Sequence, residues 1–172
     1  MLLQSGLSAT RFCLFIGLVF IAGCSKYQLT LNEKVMYSPA PLFTQFTTAD
    51  SNLKVCLDQA IKDSQATHAS DVKRLVCTHA GVTDLGGLET FPEITQLHLA
   101  HNQLQRIDAI ARLAKLEELS LSDNQLKKVP EILLLENLTM LDLSENTELD
   151  CSDISQFRQQ HSIELHLPTQ CQ

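Results

Sequence analysis

The stretch LHLAHNQL, residues 97–104, decides the fold of this chain because near copies of it follow at a fixed distance. LSLSDNQL begins at Leu119 and LDLSENTEL at Leu141, so each copy starts 22 residues after the last. The alternation of leucine with other residues predicts a short strand with two side chains directed inward. One such unit cannot bury its apolar face alone, and stacked neighbours bury it together, so the repeat predicts a solenoid.

Extending the same register in both directions adds two atypical units. In the first, Cys77 stands at the second leucine position and Ala80 at the asparagine position, which is typical of a terminal repeat. After the third good copy, Ile163 and Leu165 fall where the two apolar positions of another strand are expected. In each good copy an asparagine follows the strand and can bond backbone groups across the turn; these are Asn102, Asn124 and Asn146.

The pattern LxxLxLxxNxL, carried by residues 72–167, resembles the leucine-rich repeat family in its 22-residue form. The resemblance implies an α/β fold: a short right-handed solenoid with a parallel sheet on its concave face. It also implies that a protein partner binds to that sheet, without saying which partner. We expect the chain to be a monomer.

The segment 50–70 predicts a helix that caps the N-terminal end of the core. Its apolar residues recur at helical spacing, and Asp50 or Ser51 is suited to be the N-cap. Before it, the prolines Pro39 and Pro41 exclude a helix through the middle of 24–49, which is either an extended segment lying on the cap or a tether. The expected organisation is a signal peptide at 1–23, this segment at 24–49, the helical cap at 50–70 and the repeats at 71–172.

The first 23 residues have the features of a secretory signal peptide. Arg11 is the only charge before the apolar run at 12–23, which is short for a bilayer span and ends in small residues. Residues 21–24, Ile-Ala-Gly-Cys, resemble the lipobox of bacterial lipoproteins. That resemblance implies cleavage before Cys24 and acylation of its thiol by chains such as palmitate, and Ser25 after it implies the outer membrane. The alternative is an ordinary signal peptide that contains a cysteine.

Four cysteines remain outside these segments, and an even number in an exported chain predicts disulfides. Four cysteines allow three pairings, of which the repeat register favours one bridge at each end of the solenoid. These bridges are Cys56–Cys77 and Cys151–Cys171. The alternative, a four-cysteine metal site, lacks the close CxxC pair that such sites usually have.

Charge and motifs exclude several functions. Beyond the signal segment the chain has 12 basic and 20 acidic residues, a net charge of −8. This balance argues against binding to nucleic acid or to anionic lipid headgroups. The sequence has no GxSxG motif and no phosphate-binding GK[ST]. We therefore expect no enzyme activity and no cofactor.

The register also predicts which side chains line the concave face. The residues between the paired leucines are Val76, His98, Ser120, Asp142 and Glu164. The residues two positions after the second leucine are His79, His101, Asp123 and Glu145. The face should thus carry histidines near its N-terminal side and carboxylates near its C-terminal side, where a basic peptide or loop could bind.

Three functional hypotheses remain. The first is a lipid-anchored, non-enzymatic protein-binding module of the cell envelope that uses the concave sheet. The second is a structural spacer or assembly subunit with no dedicated ligand. The third is a metal-binding protein that uses His79, His101 and Asp123 on consecutive repeats, since imidazole and carboxylate are suitable ligands. Against the third, solvated polar side chains are the preferred explanation of those residues, and no motif fixes a coordination geometry.

Overall fold

The computed structural model describes residues 29–31 and 34–172. The signal segment, Cys24 and Ser25 lie outside the described residues. The chain divides into two compact units, Met1–Pro39 and Ala40–Gln172. In the first, β1 (Leu29–Leu31) pairs antiparallel with β2 (Lys34–Tyr37). No helix among the described residues is long and apolar enough to cross a membrane.

The second unit is a solenoid built on one parallel sheet. It begins with a helix, α1 (Ser51–Ser64), and has a second helix, α2 (Ser152–Gln160), before its last strand. The strands, which pair in chain order, are β3 (Arg74–Val76), β4 (Gln96–His98), β5 (Glu118–Ser120), β6 (Met140–Asp142) and β7 (Glu164–His166). Between strands the chain returns through short 3₁₀ segments, at Leu88–Thr90, Asp108–Arg112 and Pro130–Leu134.

The core of the solenoid is a stack of repeated apolar side chains. The central leucines of the strands align in one register, and Leu75, Leu97, Leu119 and Leu141 are fully buried. Because side chains alternate along a strand, the residues on either side of each central leucine point away from the core. We call this outward sheet face the concave face.

The last repeat departs from the 22-residue period. β7 pairs Leu165 with Leu141 and His166 with Asp142, so this unit has two extra residues and the predicted position of Glu164 beside Asp142 was wrong. The reason is the return path: earlier units use 3₁₀ segments, with a rise of about 2.0 Å per residue. The last unit uses α2, whose rise of about 1.5 Å per residue needs more residues for a similar length.

Helix α1 covers the N-terminal end of the core. Leu53 and Leu57 on its inner face are fully buried. Asp50 is its N-cap: one carboxylate oxygen accepts from the backbone N–H groups of Asn52 and Leu53, and the other accepts from the backbone N–H and hydroxyl of Thr83. One side chain therefore starts the helix and fastens it to the first repeat.

Two disulfides stand at the ends of the solenoid. Cys56 of α1 is bonded to Cys77 just after β3, with the Cα atoms 5.6 Å apart. Cys151 before α2 is bonded to Cys171 near the C-terminus, with the Cα atoms 5.3 Å apart. Each bridge closes a loop of about 20 residues, which restricts the unfolded chain and stabilises the fold by roughly 3 kcal/mol.

Residues 40–49 pack against this capped end. The rings of Phe43 and Phe46 lie 5.9 and 5.4 Å from the ring of Phe91, which is fully buried. The backbone N–H of Phe43 donates to the carbonyl of Ala66 just after α1. These contacts add an aromatic cluster to the core that the leucine repeat alone does not supply.

Candidate functional site

Buried asparagines hold the turns that follow the strands and so fix the rim of the concave face. The amide nitrogen of Asn124 donates to the carbonyls of Leu99 and Leu121, and its oxygen accepts from the N–H of Leu104. Asn146 makes the same three kinds of bond one repeat later. Because each asparagine bonds to its own repeat and the preceding one, the ladder keeps the repeats in register.

The residue before each asparagine, like the one before Ala80 in the first unit, adopts a left-handed backbone conformation. His79, His101, Asp123 and Glu145 all have φ between 50° and 60°. This region is sparsely populated by residues other than glycine, although His and Asp tolerate it better than most. The turn therefore directs these four side chains outward in one column along the rim.

The first three members of that column touch one another. The imidazole rings of His79 and His101 are stacked with their centroids 4.0 Å apart. His101 Nδ1 lies 2.8 Å from a carboxylate oxygen of Asp123. No cluster of three His, Cys, Asp or Glu residues in the described part of the chain is arranged to hold a metal ion. The column is therefore a polar edge in which His79, His101 and Asp123 hold one another in place through these two contacts.

Two rows of side chains cover the strands themselves. The first row precedes the central leucine of each strand and is Arg74, Gln96, Glu118, Met140 and Glu164. The second row follows it and is Val76, His98, Ser120, Asp142 and His166. The sequence predicted the second row except for its last member, and it predicted Glu164 one row away from its place in the structure. It missed Arg74, Gln96, Glu118 and Met140, although strand alternation could have indicated them.

The carboxylates of these rows surround a shallow depression. It has a volume of about 520 Å³ and is lined by Glu118, Thr139, Met140, Asp142, Glu164 and His166. At its ends, Glu118 lies 3.9 Å from His98, and Glu164 lies 2.9 Å from His166. Three carboxylates around one partly apolar floor suit a cationic group carried on an aliphatic stem.

Asp142 differs from Glu118 in the depression because neighbouring groups already donate hydrogen bonds to its carboxylate. One of its oxygens accepts from the backbone N–H and the hydroxyl of Ser144, at 3.0 and 2.6 Å. Glu118 has no such bond to hold it and is partly exposed. Glu118 is therefore the carboxylate whose replacement disturbs the fold least.

One further acidic residue, Glu93, lies outside the concave face, and its carboxylate pairs with two lysines. Its carboxylate contacts the ammonium groups of Lys115 and Lys73, at 2.6 and 2.9 Å. Hydrogen bonds from Lys115 and Lys73 outweigh desolvation and lower the pKa of Glu93 to about 2. This cluster links neighbouring repeats at the lateral edge and carries a net charge of +1.

Larger depressions exist elsewhere on the solenoid. One of about 550 Å³ lies among the loops after the strands and is lined by residues such as Thr83, Gln103 and Arg106. Another, of about 780 Å³, lies at the C-terminal end of the solenoid. Neither of the two is lined by three carboxylates as the concave depression is, so the concave depression remains the candidate for binding a cationic partner.

Comparison with known proteins agrees with this architecture. Residues 114–159 match the family described as Leucine Rich repeats (2 copies), and the chain carries leucine-rich repeats. No curated protein sequence matches.

Two solved structures from Listeria monocytogenes share the fold. An internalin, InlF, is 23% identical with a TM-score of 0.60, over 70% of this chain and 36% of that one. Internalin C2 is 22% identical with a TM-score of 0.58, over 75% of this chain and 60% of that one. This chain thus spans less than two thirds of either structure, and at these identities the likeness shows the fold alone.

Proposed function

We propose that this protein is a lipid-anchored, non-enzymatic module of the bacterial cell envelope that binds a protein partner on its concave face. The observation that carries the proposal is the acidic depression at the C-terminal half of that face. Its three carboxylates, Glu118, Asp142 and Glu164, stand on neighbouring strands around the side chain of Met140. An open, rigid sheet of this kind presents side chains at fixed spacing without needing to change shape.

The charges indicate what such a partner would offer. Lysine and arginine combine an aliphatic stem, which packs on Met140, with a cationic head that pairs with carboxylates. A basic loop or extended peptide therefore fits the depression better than an acidic or purely apolar one. Because five short strands give a small face, we expect an interface near the lower end of the usual size range.

The lipid anchor is the second part of the proposal and rests on the sequence. Cys24 directly follows the small residues that end the apolar run. Acyl chains at that position would anchor the protein firmly because each buried CH₂ contributes about 0.8 kcal/mol. Replacing Cys24 with alanine should abolish incorporation of radiolabelled palmitate and release the protein from the membrane fraction. Unchanged labelling of that variant would refute the anchor.

Photocrosslinking in cells tests the binding face. A photoreactive residue at Ser120, at the centre of the concave face, should give one discrete adduct with another protein. The same residue at Lys128, which is exposed and lies outside both sheet rows, is the matched control. An adduct from Ser120 alone supports the concave site and identifies the partner by mass spectrometry. Equal labelling from both positions, or none, would instead favour a spacer or assembly subunit.

A charge variant separates the acidic depression from the rest of the face. Glu118→Lys should strongly reduce the Ser120 adduct because it places a cation where the partner's cation binds. Glu117→Lys is the control, since Glu117 is the exposed neighbour just before the strand. If both variants leave the adduct unchanged, the partner does not depend on the carboxylates.

A further inference from the structure

The two end strands of the parallel sheet differ in how far other parts of the chain cover them. At the N-terminal end, α1 packs beside β3 and buries Leu53 and Leu57 completely. At the other end, the core-facing residues of the last strand segment, Ile163, Leu165 and Leu167, stay only partly buried. Within the part of the chain that the structure describes, no strand pairs with the outer edge of β7.

The hydrogen-bond pattern shows which groups of β7 face outward. The backbone N–H of Glu164 donates to Thr139, and the carbonyl of His166 accepts from Leu143, so these two residues bond towards β6. In a sheet, successive residues of a strand bond alternately to opposite sides. The N–H and carbonyl of Leu165 therefore point to the open edge. At that edge they can bond to another strand, and half-buried apolar side chains lie on either side of them.

We propose that β7 pairs antiparallel with β7 of a second copy of this chain, about a two-fold axis that passes beside Leu165. In this arrangement Leu165 faces Leu165 of the second copy, and the two residues exchange their outward N–H and carbonyl bonds. Ile163 faces Leu167 of the second copy, so the half-buried apolar side chains cover one another. The two five-stranded sheets become continuous.

Charge complementarity is what indicates a second copy as the occupant. With Leu165 at the axis, Glu164 of one chain faces His166 of the other, and the reverse pair forms by symmetry. These residues would occupy non-hydrogen-bonded positions, where opposite side chains come closest and charge pairs contribute most. Glu164 and His166 already contact each other within one chain, at 2.9 Å, on the same face. The edge is thus self-complementary in both its apolar and its polar residues.

The inference goes beyond the proposed binding function and replaces the expectation of a monomer. A two-fold axis perpendicular to the sheet leaves both concave faces on the same side. Exposed strand edges otherwise invite uncontrolled association, and natural proteins pair, cover or charge them. Pairing two copies closes both open edges at once.

Sedimentation equilibrium of the full chain in density-matched detergent tests the proposal. The wild-type chain should show a monomer–dimer equilibrium. His166→Glu places like charges opposite each other twice and should raise the dimer dissociation constant roughly tenfold or more. The double variant Glu164→Lys with His166→Glu restores opposite charges across the axis and should restore the dimer.

Controls make each outcome decisive. His79→Glu makes the same charge change at the opposite end of the solenoid and should leave the dimer unchanged. Circular dichroism of His166→Glu checks that the fold is intact. A wild-type chain that stays monomeric, a dimer indifferent to His166→Glu, or a double variant that fails to recover would each overturn the pairing. These outcomes are read from the oligomeric state and not from the Ser120 adduct. Because Glu164 and His166 also line the depression, the concave site is tested separately with the wild type and Glu118→Lys.

Discussion

The Asn124→Ala variant tests whether the asparagine ladder sets the stability of the solenoid. The change removes four hydrogen bonds: three of 3.0 Å in the buried interior and one of 3.2 Å to the half-buried carbonyl of Ser122. The carbonyls of Leu99 and Leu121 keep a second donor each, from the asparagines of the neighbouring repeats. The N–H of Leu104 has no such substitute. It would be left buried and without a partner.

The expected loss of stability follows from these two effects. Each lost bond costs about 1 kcal/mol, and an orphaned buried N–H costs about 1–3 kcal/mol, but the carbonyl losses are softened by their second donors. We therefore expect the free energy of unfolding to fall by about 3 kcal/mol. For a domain of this size the melting temperature should fall by roughly 10 °C. Urea unfolding followed by circular dichroism measures the change.

Asn137→Ala is the matched control. Asn137 also donates its amide to a backbone carbonyl, that of Ala114 at 2.7 Å, but it does so at the exposed surface. We expect that variant to cost less than about 1 kcal/mol, since water replaces the lost bond. If Asn124→Ala lowers the free energy of unfolding no more than Asn137→Ala does, the asparagine ladder does not stabilise the solenoid as proposed.

Three further changes address the ends and the rim of the fold. Burial raises the pKa of Asp50, but hydrogen bonds from Thr83, Leu53 and Asp84 outweigh it and lower the pKa to about 2. The ionised carboxylate of Asp50 should add at most about 2 kcal/mol to the free energy of unfolding above pH 4, and this contribution should be lost as pH falls to 2. The stability gap between wild type and Asp50→Asn should therefore close in that range in urea titrations, and a constant gap would contradict it. Gly87→Ala should cost more than about 2 kcal/mol in the same assay, because φ is 101° and the new Cβ would collide with the carbonyl of Thr47; a neutral result would show that residues 40–49 yield easily. Cys171→Ser should cost about 3 kcal/mol under oxidising conditions and nothing extra in reductant, and equal stability in both would argue against that bridge.

The proposed dimer has a consequence for the proposed binding function. If both copies point their concave faces the same way, two weak sites can engage one multivalent partner together. The second contact is then intramolecular, and the overall affinity exceeds that of either site. Comparing the retention of the wild type on an immobilised partner, once one is identified from Ser120, at protein concentrations below and above the dimer dissociation constant measures this gain without altering the depression.

The sequence by itself determined the features that depend on local, periodic burial. Leucine alternation predicts a strand wherever it occurs, and three copies in phase predict a stack, so the parallel sheet follows from residues such as Leu97, Leu119 and Leu141. The same periodicity indicated the asparagines of the ladder. The pattern holds because each repeat meets only its neighbours, and each neighbour presents the same surface.

Only the tertiary structure decided the features in which the repeats differ from one another. The register of β7 depends on α2 taking more residues than a 3₁₀ segment, which moves Glu164 and His166 by two positions. The double role of Asp50 needs a residue 33 positions away to arrive beside it. That no strand pairs with the outer edge of β7, among the residues that the structure describes, is visible only in three dimensions. Periodicity describes what repeats, whereas caps, edges and insertions are fixed by contacts that occur once.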